Sequence, residues 1–373
     1  MGPTIAAMTD PPGLDAATTL PARAYHDEEW FHRERDAIFA TTWQLAGLRA
    51  QLAEPGDYIT HDLVGRSIVV LVDDDGELRA FHNVCRHRAG PLVTDERGHC
   101  SVIVCGYHGW TYGLDGALHR ARDFGDTAGF DPTEFGLWPV AVDVWRGLVF
   151  VRMAADGPTL TESLGDLVDR CAGQPIEQLT YSHRLSHDVA ANWKTYTDNY
   201  GEGYHVPFVH PELNRQIDAR HYRVEVHDHW VEHTAPTRDG AVTAGLWLWA
   251  FPNLGLNIYP EGMNVERWFP LGPRRTRIVY DFFFADPSPA AAAANADIER
   301  LGVEVLAEDQ RICEAVQRNL EAGIYTEGRL SPRHENGVFA FQGWVRDALA
   351  AYDRSAAPVS AVGSRSSDSE FTQ

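Results

Sequence analysis

The sequence predicts an α+β protein in which a small antiparallel β domain precedes a second β-rich region and a long helix. Three observations carry this. From about Trp43 to Arg152 short β-rich runs (DYITHDL, SIVVLV, LRAFHNV, SVIVC, LVFVRM) alternate with Gly and Asp turns such as DDDGE and GLDG. A second β-rich region runs from His221 to Ala285. A helical pattern then extends from roughly Ala296 to Ala322 and stops at Gly323.

The bounds agree with a globular chain. At 373 residues there is length for two domains, and a hydrophobic fraction of 44% excludes a disordered or fibrous protein. Thirty-two basic against fifty-three acidic side chains give a formal charge of −21, which argues against nucleic acid or an anionic membrane as partner. The longest apolar runs are too short to span a bilayer, and the start has no basic segment followed by an apolar one, so a cytoplasmic location is expected. Five cysteines do not make a disulfide framework at this size.

In chain order, residues 1–22 are small, polar and proline-bearing and are expected to be disordered. AYHDEEWFHRERDAIFATTW has acids in its first turn and Trp30, Phe31, Ala37 and Ile38 at helical spacing, so it reads as an amphipathic helix. Helical segments are expected after Thr161, the Ala run at Ala290 to Ala294 reads as linker, and residues 351–373 as a second disordered tail.

Two stretches carry metal-binding chemistry in the first β domain. VCRHRAGPL places Cys85 and His87 one residue apart, and VCGYHGWTYGLDG places Cys105 and His108 two apart. Two thiolates and two imidazoles also make a tetrahedral zinc set, but zinc fingers keep the cysteines in one half and the histidines in the other. One of each per half suits a two-iron cluster whose one iron takes the thiolates and the other the imidazoles. Cys100, Cys171 and Cys313 are left spare.

Further on, NWKTYTDNYGEGYHVPFVH holds His205 and His210 five residues apart. In a helix this spacing puts them about 140° apart. Pro207 between them is expected to break the helix and let His210 swing back. In LGVEVLAEDQRICEAVQRNLEAG, Leu306, Asp309, Ile312, Cys313, Val316 and Leu320 fall on one stripe, so Asp309 is a carboxylate on an apolar face. A buried charge needs a partner, here either a metal cation or an Arg or hydroxyls of the protein. Glu308 falls on the wetter side with Glu304 and Arg311. Two histidines and a carboxylate form the facial set that binds non-haem Fe(II).

With both sets of motifs in one chain, the sequence resembles the catalytic (alpha) subunits of Rieske non-haem iron oxygenases, and within them the branch of choline monooxygenase and the betaine and carnitine oxygenases. Beyond the Cys/His loops the matching stretches are DNYGEGYHVPFVH, FPNLGLNIYPEGMNVERWFPLGPRRTRIVYDFFF and EDQRICEAVQRNLEAGIYTEGRLSPRHENGVF. The resemblance implies a Rieske antiparallel β domain over residues 43–155, a helix at 23–42 packed on the catalytic domain, and a helix-grip (START-like) catalytic domain over 156–350 with an antiparallel sheet over a long helix. It implies Cys85, His87, Cys105 and His108 as ligands of a [2Fe-2S] cluster, and His205, His210 and Asp309 as ligands of a mononuclear iron. Where many relatives have Asp three residues before the first histidine ligand, this chain has Glu202, as some betaine and carnitine enzymes do.

The resemblance further implies a homotrimer in which the cluster of one subunit faces the iron of the next. Glu202 is expected to reach outward to His108 of the adjacent chain and bridge it to His205. No dinucleotide fingerprint is present and too few cysteines remain for a plant-type [2Fe-2S] domain, so electrons are expected from a separate ferredoxin or flavin/iron-sulfur reductase. The expected reaction is O2-dependent hydroxylation or N-demethylation of a small quaternary ammonium compound of the choline, betaine or carnitine kind. Aromatic faces hold such a cation, and Trp247, Trp249 and Tyr259 are the candidates. The rivals are hydroxylation or O-demethylation of an aromatic acid, which should recruit an Arg or Lys, and an electron carrier without oxygenase activity.

Overall fold

The computed structural model describes residues 13–238 and 245–356. The first β domain is a seven-stranded antiparallel sheet, in the order Gln44–Leu48, Leu148–Arg152, Pro139–Trp145, Leu78–His82, Arg66–Val72, Asp57–Leu63, Arg97–His99. A three-stranded sheet, Ile103–Val104, Thr111–Tyr112 and Leu118–Arg120, stands beside it. The unbroken apolar run in SIVVLV has a physical cause, because both faces of that strand are covered. Val69 and Leu71 pack with Phe81 and Trp110 under the Cys/His loops, while Ile68, Val70 and Val72 join the large core shared with the second domain.

The second domain is also built on a seven-stranded antiparallel sheet, in the order Thr180–Val189, Arg275–Phe284, Gly262–Gly272, Leu254–Tyr259, Leu246–Ala250, Trp230–Thr234, Arg223–Val226. Its first strand, TYSHRLSHDV, is an edge strand that the sequence reading did not anticipate. Across the sheet lie the helix Trp193–Tyr200 and the long helix Ala292–Glu321, with the helix Asn336–Ala356 closing the core. The Ala run is thus not a linker from Ala292 onward: alanine, the best helix former, supplies the first turn of the long helix.

Both expected tails are shorter than the sequence suggested. Ala17 and Leu20 are buried, Thr18 bridges to Arg329, and the Leu20 N–H donates to Gln342 Oε1 at 2.7 Å. The partner strip lies about three hundred residues on, which no local pattern reveals. At the other end the helix continues to Ala356; the expected disorder of 1–12 and 357–373 falls outside the described residues.

The N-terminal helix starts at Glu28, capped by Asp27 Oδ1, and continues as a π turn over Arg35–Phe39. Its buried Glu34 meets Lys194 Nζ at 2.6 Å, with both side chains fully enclosed, and this ion pair locks the entry helix to Trp193–Tyr200. Among the described residues no helix is long and apolar enough to cross a membrane.

Candidate active site

The two Cys/His loops are built alike. The Cys85 N–H donates to Gly90 O (2.8 Å) and Ala89 N–H to Cys85 O (3.0 Å); the Cys105 N–H donates to Trp110 O (2.9 Å) and Gly109 N–H to Cys105 O (2.9 Å). Ala89 and Gly109, at matching positions, have φ of 54° and 73°. Both thiols are buried and close enough to hydrogen-bond each other. The imidazoles of His87 and His108 lie 4.6 Å apart, and His87 stacks flat on Trp110 at 4.9 Å.

Two details fit a cluster between these four side chains. His87 Nδ1 is buried with no hydrogen-bond partner, an orphaned acceptor suited to a metal. A Cβ on Gly90 would stand 3.1 Å from Cys105 Sγ, so any side chain there would crowd the thiols. Tyr112 Oη, 3.3 Å from Cys85 Sγ, adds a donor on the buried side. His108, by contrast, is exposed.

The second cluster sits where the helix Trp193–Tyr200 ends. Pro207 does not break a helix as expected; the break precedes it, at Gly201 to Tyr204, and Pro207 starts the one-turn helix Val206–Val209 whose N-cap is His205. The turn returns His210 so that His205 Nε2 and His210 Nε2 lie 3.0 Å apart. Asp309 Oδ1, from the long helix, is 3.0 Å from His210 Nε2 and 3.7 Å from His205 Nε2. Ligands bound at about 2.1 Å with right angles between them stand about 3.0 Å apart, so two of the three separations match adjacent corners of an octahedron and the His205–Asp309 one stands wider.

Carboxylates behind the rings fix what those nitrogens offer. His205 Nδ1 is 2.6 Å from Glu202 Oε1 and His210 Nδ1 is 2.8 Å from Glu308 Oε2. A carboxylate only accepts, so each Nδ1 carries the proton and each Nε2 presents a lone pair. Two lone pairs and a carboxylate oxygen then converge on one point, which calls for a cation. Asn199 Nδ2 donates to Asp309 Oδ1 at 2.6 Å and orients it.

Three sequence expectations are corrected here. Glu308 is not on a wet face: it is buried behind His210, while Ile312 and Val316, placed on the buried stripe, are 38% and 40% exposed. The stripe instead runs through Leu306, Asp309, Cys313, Gln317 and Leu320. Glu202 meets His205 as expected: its carboxylate faces His205 Nδ1 and also accepts from the Tyr204 and His205 N–H groups, with its side chain 10% exposed.

The third correction concerns the aromatic face of LWLWAF. A cavity of about 150 Å³ opens beside His205, His210 and Asp309, and Trp247 and Tyr259 line it together with Tyr200 and Tyr222. Trp249 is fully buried away from it, covered by Trp268, Phe341 and Trp344 of the core. Strand alternation put both tryptophans on one face, and the C-terminal helix covers only Trp249.

The cavity also holds residues that sequence reasoning missed. Glu266 is 2% exposed and accepts from Tyr196 Oη at 2.5 Å and from Tyr280; burial pushes its carboxyl up to about 7. Burial drives His233 down to about 4, with the nearby His205 adding to the effect, so it is uncharged at neutral pH.

Comparison with known proteins decides the family. The Rieske [2Fe-2S] domain model matches residues 42–131, and the ring hydroxylating alpha subunit (catalytic domain) model matches 176–236 and 220–351. Choline monooxygenase of Spinacia oleracea is 32% identical over 353 residues, covering 89% of this chain and 79% of that protein. This chain belongs to the Rieske oxygenase alpha subunits.

As a Rieske oxygenase it is an enzyme whose cofactors are a [2Fe-2S] cluster and a mononuclear iron, and it works with O2, a small-molecule substrate and a reductase partner. The catalytic-domain match removes the electron-carrier reading. The carnitine monooxygenase oxygenase subunit of Escherichia coli (strain K12) is 31% identical over 328 residues, covering 84% of this chain and 87% of that one. A solved quaternary ammonium Rieske monooxygenase, described for carnitine oxidation and inter-subunit electron transfer, aligns at 29% identity with a TM-score of 0.82, covering 90% and 97% of the two chains.

Proposed function

We propose that this Rieske oxygenase hydroxylates or N-demethylates a small quaternary ammonium compound of the choline, betaine or carnitine kind. Cys85, His87, Cys105 and His108 hold the cluster, within a domain spanning 43–155; His205, His210 and Asp309 hold the iron, within 156–350. The observation that carries the reading is the cavity beside the two histidines and Asp309, walled by Trp247, Tyr259, Tyr200 and Tyr222. Aromatic rings bind a permanent cation over their faces at about 0.5–2 kcal/mol each. The volume suits a molecule with the bulk of about one benzene ring. The choline and carnitine oxygenases among the relatives act on such compounds. Among the described residues an aromatic acid would find no Lys or Arg on these walls.

When bound, the cluster relays single electrons and the iron activates O2. One oxygen atom enters a C–H bond beside nitrogen and the other leaves as water, consuming two electrons and two protons. A carbinol so formed on an N-methyl group collapses to the amine and formaldehyde, which is why hydroxylation and demethylation share one site. The chain's own residues position this chemistry. Glu202 and Glu308 hold the Nδ1 protons of His205 and His210, Asn199 orients Asp309, and the aromatic walls hold the ammonium and exclude water.

The assembly is a ring of three, with electrons supplied by a separate ferredoxin or flavin/iron-sulfur reductase. The exposed His108 supports this, as do Tyr204 and Phe208, 53% and 86% exposed beside the iron-site turn. Glu202 links the centres: it stands in the wall between the substrate cavity and a second cavity lined by the exposed Ile312 and Val316, the route by which a neighbour's His108 would approach. The test is a panel of choline, betaines, carnitine and aromatic acids scored for substrate-dependent O2 uptake with a surrogate reductase. Uptake with the ammonium compounds is expected; coupling to aromatic acids alone would overturn the reading.

A further inference from the structure

We propose that Glu266 is the specificity-determining residue of this cavity, and that it selects a net cation: a quaternary ammonium compound with a neutral polar head, in preference to one carrying its own carboxylate. The inference rests on the quaternary ammonium reading above and narrows it.

Its partners set Glu266 apart from the other buried carboxylates. Among the described residues seven are buried: Glu34, Asp73, Glu232, Glu266, Asp281, Glu308 and Asp309. Six face a basic partner. Glu34 has Lys194, Asp73 has Arg79, Glu232 has Arg170, Asp281 has Arg184 and Arg267, Glu308 has His210, and Asp309 has both iron-site histidines. Glu266 has only the hydroxyls of Tyr196 and Tyr280. A carboxylate removed from water is costly unless a cation compensates it, and here the protein supplies none.

What Glu266 faces is the substrate cavity. On its strand, Asn264 and Glu266 point to the same side, and Glu266 lies opposite Gly255 on one neighbour and Tyr280 on the other. A Cβ on Gly255 would stand 3.0 Å from Tyr200 Oη and 3.3 Å from Glu266 Cβ, so glycine keeps this corner open. Tyr200, Tyr259 and Trp247 stand around it, Trp247 donating to the Tyr259 hydroxyl. An ammonium seated among these rings gains the missing ion partner as well as the aromatic faces.

The same walls disfavour a zwitterion. Among the described residues no Lys or Arg lines the cavity, and of the three histidines there two are turned to Asp309 and the third, His233, is uncharged. The ionisable side chains on the wall apart from those histidines and the tyrosines, Glu202, Glu266 and Asp309, are all acids. A substrate carboxylate would meet repulsion and no partner. Asn257 and Asn264, bonded to each other at 2.8 Å, put uncharged polar groups on the same wall.

The experiment is calorimetric titration of the holoenzyme with choline, with its uncharged isostere in which carbon replaces nitrogen, and with glycine betaine. Choline should bind on the order of 30-fold more tightly than the isostere, the scale for truncating one partner of a buried charge pair, and more tightly than betaine. Glu266→Gln should shrink the choline-to-isostere ratio at least several-fold, down to what the aromatic faces alone supply. A full ratio in that variant, or betaine binding unmodified enzyme as tightly as choline, would overturn the proposal. Should Glu266→Gln not fold, the ranking of the three ligands on unmodified enzyme decides it in the same way. Failure of all three while an aromatic acid binds would instead sink the quaternary ammonium reading itself, and this inference with it.

Discussion

His210 is held between consecutive residues of one helix: its Nδ1 lies 2.8 Å from Glu308 Oε2 and its Nε2 3.0 Å from Asp309 Oδ1. The first contact fixes the proton and the second points to the metal, so the two carboxylates do different work on one ring. Glu308→Gln should lower iron affinity about 10–100-fold while leaving the Rieske visible spectrum intact. Iron content after dialysis against a graded chelator measures it, and unaltered retention would remove Glu308 from the iron site.

Glu202 supports His205 in the same way and stands between two cavities. Glu202→Gln should weaken iron binding as Glu308→Gln does, and in iron-saturated protein it should leave the Rieske visible spectrum intact but slow oxidation of the reduced cluster by orders of magnitude in a single turnover. Stopped-flow absorbance of the cluster reads this directly; a normal rate would remove Glu202 from the electron path.

The burial that raises Glu266 to about 7 gives choline binding a pH dependence. The ionised form attracts the cation, so affinity is full above that value and is lost as pH falls through it, by at most about tenfold per pH unit. The groups facing Glu266 are Tyr196 and Tyr200 from the helix, Tyr259 and Tyr280 from neighbouring strands, and Asp309 from the long helix; burial holds all four tyrosines protonated well above neutrality. Titration between about pH 8 and about pH 6 should show the loss in the native enzyme and a flat profile in Glu266→Gln.

Much of this was legible in the sequence and some was not, for separable reasons. The cluster loops could be read because each supplies its Cys and His within a few residues. Asp309 could be reached from helical phase, but Glu308 could not, because the long helix is covered from more than one side and a single stripe misplaces its edges. Glu266 left no signal: residues Gly262 to Pro270 are all buried, so alternation has no polar face to contrast. Trp249 was assigned to the pocket because alternation gives a face and not what covers it, and the covering helix lies about ninety residues later.

The buried pair Glu34–Lys194 fastens the N-terminal helix to the helix that leads into the iron site. Burial raises Glu34 and lowers Lys194, each opposed by attraction to the other. Lys194→Met should cost about 3–5 kcal/mol by stranding Glu34, and adding Glu34→Gln should recover part of it. Denaturant unfolding of the two variants checks the sign of the recovery.

The most direct measurement is the metal content and O2 uptake of His205→Ala. Iron should fall from about three per chain to about two, with an unchanged Rieske visible spectrum and no O2 uptake coupled to any ammonium substrate. Retention of the third iron with coupled turnover, or loss of the Rieske spectrum in its place, would contradict this.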